Sequence, residues 1–146
     1  MQASGKFTIA IHICLYLQFK GEDLVSSQQI AKSVQTNPVV IRRMVGSLRD
    51  KNIIGSVPGS KGGFYLKKPA TEINLWEIYL AVKNSDLFYK PKSNHNCPVG
   101  SNLAILVEDT FTKAEISMRE TLGMVNIDGL NKNLSSILEL QEENFC

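Results

Sequence analysis

The run SVPGSKGGFYLKKP, from Ser56 to Pro69, restricts the fold more than any other stretch of the chain. Gly59, Gly62 and Gly63 stand with a proline and a lysine between NIIGSV, a β-branched pattern, and FYL, an alternating one. Glycines that tolerate positive φ, flanked by two such patterns, predict a β-hairpin with Lys61 at its tip. A phosphate-binding P-loop is excluded, because its glycines must end in Gly-Lys-Ser/Thr and open a helix, whereas this run leads into a strand. The apolar segments on both sides exclude a flexible linker.

Upstream, Phe7, Ala10, Ile11, Cys14, Leu15, Leu17 and Phe19 fall mostly at helical spacing, so residues 5–19 predict a first helix that stops at Gly21. Ser26 is placed as the N-cap of a short second helix, SQQIAKSVQ. Ile30, Ala31 and Val34 form its apolar face, and Gln28 and Gln29 lie on the polar one. After the link QT, Asn37 caps a third helix and Pro38 takes its first position, where a missing N–H costs nothing. Ile41, Met44, Val45 and Leu48 share one stripe of that helix. A wheel of about 100° per residue puts Val39, Arg43 and Gly46 on the far side, with Arg42 beside them.

Two helices joined by so short a link form a helix-turn-helix, and a hairpin after them makes a winged helix. The exposed side of the third helix suits a major groove, where guanidinium groups bond guanine edges and an aliphatic side chain meets a thymine methyl. The candidate DNA-contacting set is therefore Ser26, Gln28, Gln29, Asn37, Pro38, Val39, Arg42, Arg43, Lys61, Gly62 and Gly63. Lys67 and Lys68 are further candidates for phosphate contact.

Charge supports an anionic partner. The formal net charge is only +2, but residues 1–68 hold ten Lys/Arg against three Asp/Glu, while residues 69–146 hold six against eleven. A length of 146 residues with 43% hydrophobic content suits one folded domain, or one domain with an oligomerising extension. The apolar run FTIAIHICLYL is too short for a membrane span, carries His12 in its middle and lacks the flanks of a signal peptide. Cys14, Cys97 and Cys146 make neither a disulfide framework nor a C-x-x-C metal pair, which predicts a cytoplasmic protein with reduced thiols. Neither His12 nor His95 has an acid or nucleophile arranged around it, so no catalytic site and no metal site is predicted.

In the second half, TEINLWEIYLAV predicts a helix capped by Thr71 or Asn74, followed by the polar loop KNSDLFYKPKSNHN. A long helix then carries Leu103, Leu106, Val107, Phe111, Ala114, Met118 and Leu122 on a stripe of about five turns. A small winged helix has too little surface to cover that stripe. A second subunit related by a two-fold axis is the economical cover, and packing within the monomer is the alternative. A last helix presents Leu130, Leu134, Ile137 and Leu138 before an acidic end that DNA would repel. The predicted division is a winged helix-turn-helix over 1–82, a loop over 83–97 and a helical dimerisation region over 98–146.

The run SLRDKNIIGSVPGSKGGFYLKKPATEINLWEIYLAV resembles the signature region of the Rrf-two family of bacterial winged-helix regulators. That family orders a leucine-rich helix end, a Gly-hydrophobic strand, a G-x-x-G-G-[YF]-x-L wing and an I-[TN]-L-x-[ED]-I helix start. Gly59, Gly62, Gly63, Phe64, Leu66, Pro69, Ile73, Leu75 and Ile78 match it, and the similarity extends over nearly the whole chain. The resemblance implies a mainly α fold with a small β-hairpin wing, and a homodimer whose two winged helices read a partly palindromic operator in double-stranded DNA. The expected function is a transcriptional regulator acting as a repressor. The alternative is a winged-helix module for protein interaction or ligand sensing, whose main partner is another protein.

Cluster-binding members of that family carry three cysteines in the loop before the long helix, whereas this loop has Cys97 alone, which argues against an iron–sulfur cofactor. Cys97 still sits at a helix start beside His95 and near Lys90 and Lys92, a setting that lowers a thiol's pKa and makes it a redox candidate. Oxidation there would alter the start of the long helix and so the spacing of the two recognition helices. Cys14, in an apolar helix, reads as a small core residue. Should the thiol carry no signal, an unidentified small ligand or protein must.

Overall fold

The computed structural model describes residues 3–145, with side chains described for 5–142. Three helices come first, α1 (Ala3–Lys20), α2 (Ser27–Val34) and α3 (Pro38–Asp50), then strands β1 (Ile54–Val57) and β2 (Gly63–Leu66). A 3-10 turn at Ala70–Glu72 leads to α4 (Leu75–Val82), α5 (Pro98–Gly123) and α6 (Ile127–Phe145). This is the predicted class, mainly helical with a small antiparallel hairpin. Among the described residues no helix is long and apolar enough to cross a membrane. Cys146 lies outside the described residues.

Helix boundaries follow from local chemistry. Ser26 and Gln29 form a reciprocal capping box at the start of α2: the Ser26 Oγ accepts from the Gln29 N–H at 3.2 Å, and the Gln29 Oε1 accepts from the Ser26 N–H at 2.9 Å. Gln35 ends α2 in the left-handed region at φ 61° and donates its N–H to the Ala31 carbonyl. Asn37 then caps α3, its Oδ1 accepting from the Val39 N–H at 2.8 Å, with Pro38 at the first position. Of the two candidate caps for α4, Asn74 is the one used, its Oδ1 accepting from the Glu77 N–H at 2.9 Å, while Thr71 lies in the 3-10 turn.

The predicted stripe of α3, Ile41, Met44, Val45 and Leu48, is buried against Ile13 and Cys14 of α1, Ile30 of α2, Ile53, Ile54, Ile73 and Ile78. Each fully buried isoleucine contributes about 1.5–3 kcal/mol of hydrophobic stabilisation, so this cluster fixes α3 against the rest of the molecule.

Two connections have no counterpart in the sequence reading. Val25 exchanges both backbone hydrogen bonds with Phe64, at 3.1 and 2.8 Å, adding a one-residue third rung to the hairpin. Asn126 pairs with Asn74, with the Leu75 N–H donating to the Val125 carbonyl and the Ile127 N–H to the Ile73 carbonyl, each at 2.9 Å. Ile127 is fully buried in the same core as α1 to α4. The segment expected to serve only dimerisation thus also completes the winged helix, whereas α5 itself buries no residue.

Candidate nucleic-acid interface

The interface begins with α3. Its buried stripe forces the opposite side outward, and Val39, Arg42 and Arg43 are all exposed there. Neither arginine makes an ion pair among the described residues, so both guanidinium groups are free for a ligand. A Cβ built on Gly46 would meet nothing within 4 Å, so this side of α3 is open to close approach. Gln28 is exposed on α2. Ser26, Gln29 and Asn37 have their side chains engaged in capping, which fixes the starts of α2 and α3.

The wing needs its glycines. Gly59 takes φ 102°, and a side chain at Gly62 would collide with the Val57 carbonyl oxygen. Gly63 passes so close to Val25 that a Cβ would lie 2.9 Å from that residue's backbone nitrogen and oxygen. The turn therefore folds tightly on itself and leaves Lys61 exposed, with no ion pair among the described residues. The two downstream lysines are placed differently. Lys67 Nζ donates to Asn52 Oδ1 at 3.2 Å, and Lys68 Nζ is paired with Glu77 Oε2 at 2.9 Å, turned toward α4.

One basic residue escaped the sequence reading. Arg49 Nη1 donates to Ser56 Oγ at 3.2 Å, tying the end of α3 to β1. The contact depends on the reversal at Asn52, whose φ of 58° is left-handed, and no spacing rule marks such a turn in advance.

The thiols differ sharply. Burial pushes the Cys14 thiol up to about 12, and its side chain is wholly inaccessible, as expected for a core residue. Cys97 is the N-cap of α5 and half-buried. Hydrogen bonds from the backbone N–H groups of Gly100 and Val99 hold its thiol below the ordinary value. Lys90 is paired with Glu108 at 3.3 Å.

The dimer candidates on α5 separate into two sides. Val107, Phe111, Met118 and Leu122 are half-buried. Phe111 stacks on Phe88 of the preceding loop with ring centroids 4.4 Å apart, and Met118 shares a hollow with Phe7 and Tyr79. Leu103, Leu106 and Ala114 face outward, Leu106 being 71% exposed. Beside them Val99, Thr110, Ser117 and Thr121 complete a side of the helix without a charge.

Comparison with known proteins places this geometry. A family model described as "Iron-dependent Transcriptional regulator", that of Rrf2, matches residues 3–133. The chain belongs to the Rrf2 family of transcriptional regulators. YwnA of Bacillus subtilis, named as a candidate HTH-type transcriptional regulator, is 32% identical over 133 residues, covering 90% of this chain and 98% of YwnA. The oxidized form of Staphylococcus aureus CymR superposes with a TM-score of 0.62 at 26% identity, over 90% of this chain and 96% of CymR. A candidate transcriptional regulator from Lactobacillus plantarum shares the fold, with a TM-score of 0.74 at 24% identity, over 95% and 97% of the two chains.

An Rrf2 family member of this kind is a regulator and not an enzyme. The iron in the family's description does not fit the donors present. Cys97 is the one cysteine of the loop before α5, Cys14 is sealed in the core, and no three His, Cys, Asp or Glu side chains converge among the described residues.

Proposed function

We propose that this Rrf2 regulator binds duplex DNA as a homodimer, with α3 in the major groove and Lys61 of the wing against the phosphate backbone, and that it acts as a repressor. The observation that carries the reading is the pair of exposed, unpaired guanidinium groups of Arg42 and Arg43 on a helix held by two caps and a buried stripe. The charge-free outer side of α5 supports a second copy as its cover, because Leu103 and Leu106 have no partner within the chain to bury them. Repression requires nothing more than tight occupancy of an operator.

The test is a gel shift on promoter DNA of the protein's own gene with a salt titration. Specific binding is expected at physiological salt, with affinity falling by roughly 10³-fold or more between 50 and 200 mM salt if six or more phosphates are neutralised. Equal affinity for the promoter and for unrelated DNA would overturn the reading.

A thiol response at Cys97 belongs to the same proposal. Its accessible sulfur lies where the loop meets α5, and a structural relative, CymR of S. aureus, is known in an oxidized form. Cys97 is expected to be alkylated by iodoacetamide in the folded protein, with a rate that rises at a pH below the ordinary thiol range, while Cys14 stays protected until denaturation. Mild hypochlorite should change DNA affinity in the unaltered protein and not in Cys97→Ser. An equal response in both would exclude this thiol.

A further inference from the structure

Where the loop and α4 meet α5, the molecule has a set of adjoining hollows that the DNA-binding reading does not use. The largest, of about 380 Å³, lies between the stacked rings of Phe88 and Phe111 and the carboxylates of Asp86, Glu108 and Glu115. Glu115 also lines a second hollow with Trp76, whose ring stacks on Tyr79 at 5.2 Å. Asp86 opens onto a third, of about 280 Å³, floored by Phe7, Tyr79 and Met118. Six aromatic rings, those of Phe7, Trp76, Tyr79, Phe88, Tyr89 and Phe111, and three carboxylates therefore border one region.

Three cations, those of Lys83, Lys90 and Arg119, line the same hollows as the three carboxylates. Lys90 pairs with Glu108 at 3.3 Å and Lys83 approaches Asp86 at 3.8 Å, but Glu115 has no ion pair among the described residues. Burial first, then the negative charges of Glu115 and Asp86, raise the pKa of the Tyr79 hydroxyl. Glu115 is turned about 120° around α5 from Leu103 and about 180° from Leu106, so it points away from a seam built on the outer side of that helix.

We propose that this region binds a small organic cation, a quaternary or protonated amine on an aromatic or aliphatic body, with its charge facing Glu115 and its body against Phe88 and Phe111. A positive charge gains from the π faces and from the unpaired carboxylate together, while an apolar body displaces water from the rings. The hollows lie between the winged helix and α5, so an occupant would set the angle between them and with it the separation of two recognition helices.

Trp76 is the chain's single tryptophan, which makes the site directly readable. Benzyltrimethylammonium, titrated into the DNA-free protein, is expected to change Trp76 fluorescence saturably, whereas benzylsulfonate, of similar size and opposite charge, should not. Glu115→Gln, an exposed and nearly isosteric change, should weaken the cation about tenfold, and Phe88→Leu, which keeps an apolar side chain but removes the π face, several-fold. No saturable signal, an equal response to the anion, or unchanged affinity in Glu115→Gln would overturn the assignment. These readouts need no DNA, so their failure is separate from failure of the operator reading. A bound cation that left DNA affinity unchanged would refute its link to the recognition helices.

Discussion

Replacing Arg43 with alanine is expected to weaken binding to a specific operator by about 1–3 kcal/mol, roughly 5- to 150-fold, with little loss of stability. The guanidinium lies on the exposed side of α3 and makes no ion pair among the described residues, so its removal leaves the core cluster around Ile41 and Leu48 untouched. A base-reading arginine should lose more on its best site than on unrelated DNA, which narrows the specificity ratio. Lys61→Ala should behave differently, weakening all sequences alike and reducing the salt slope by about 1. Gel shifts on matched and scrambled DNA check both. Full affinity in both variants at physiological salt would show that α3 and the wing do not meet DNA in this way.

A charge placed at Leu106 is expected to leave a folded monomer where the proposed dimer would otherwise form. At 71% exposed, this leucine loses nothing within its own chain when changed to glutamate, while a carboxylate facing the partner's apolar side would be buried without a counter-charge. Sedimentation should show the halved mass with an unchanged circular dichroism spectrum, and operator affinity should collapse because one winged helix alone engages one half-site. Phe111 is the less informative choice, since its stack on Phe88 means that a charge there disturbs the monomer first. A dimer that survived Leu106→Glu would place the seam elsewhere.

The winged-helix half was legible because its signals are local. Asn37 and Pro38 announce the start of α3, Ser26 and Gln29 that of α2, and the glycines at 59, 62 and 63 fold a turn that no other residue fits. What escaped is non-local or angular. The pairing of Val25 with Phe64 involves one residue of a would-be strand, too short for any periodicity to register. Lys68 looked like a phosphate ligand beside Lys67 until Glu77, on the next helix, claimed it. On α5 a single apolar stripe was read where the helix has two neighbouring sides. Spacings of three and four residues drift around the axis, so Leu106 near one end and Leu122 near the other point in different directions. The inward side, with Phe111 and Met118, packs on its own chain, and the outward side stays exposed.

The burial of Ile127 among the side chains of the winged helix means that the head and the C-terminal helices are not separable parts. The chain leaves the head along the loop to α5 and returns to it at Asn126, so α5 is a handle attached at both ends. A fragment cut before Pro98 would lack a core isoleucine and the backbone rungs at Ile73 and Leu75, and grafting a foreign zipper after Val82 would not restore them. By the same attachment, a force that rotates α5 is delivered to the floor beneath α3 as well as through the loop.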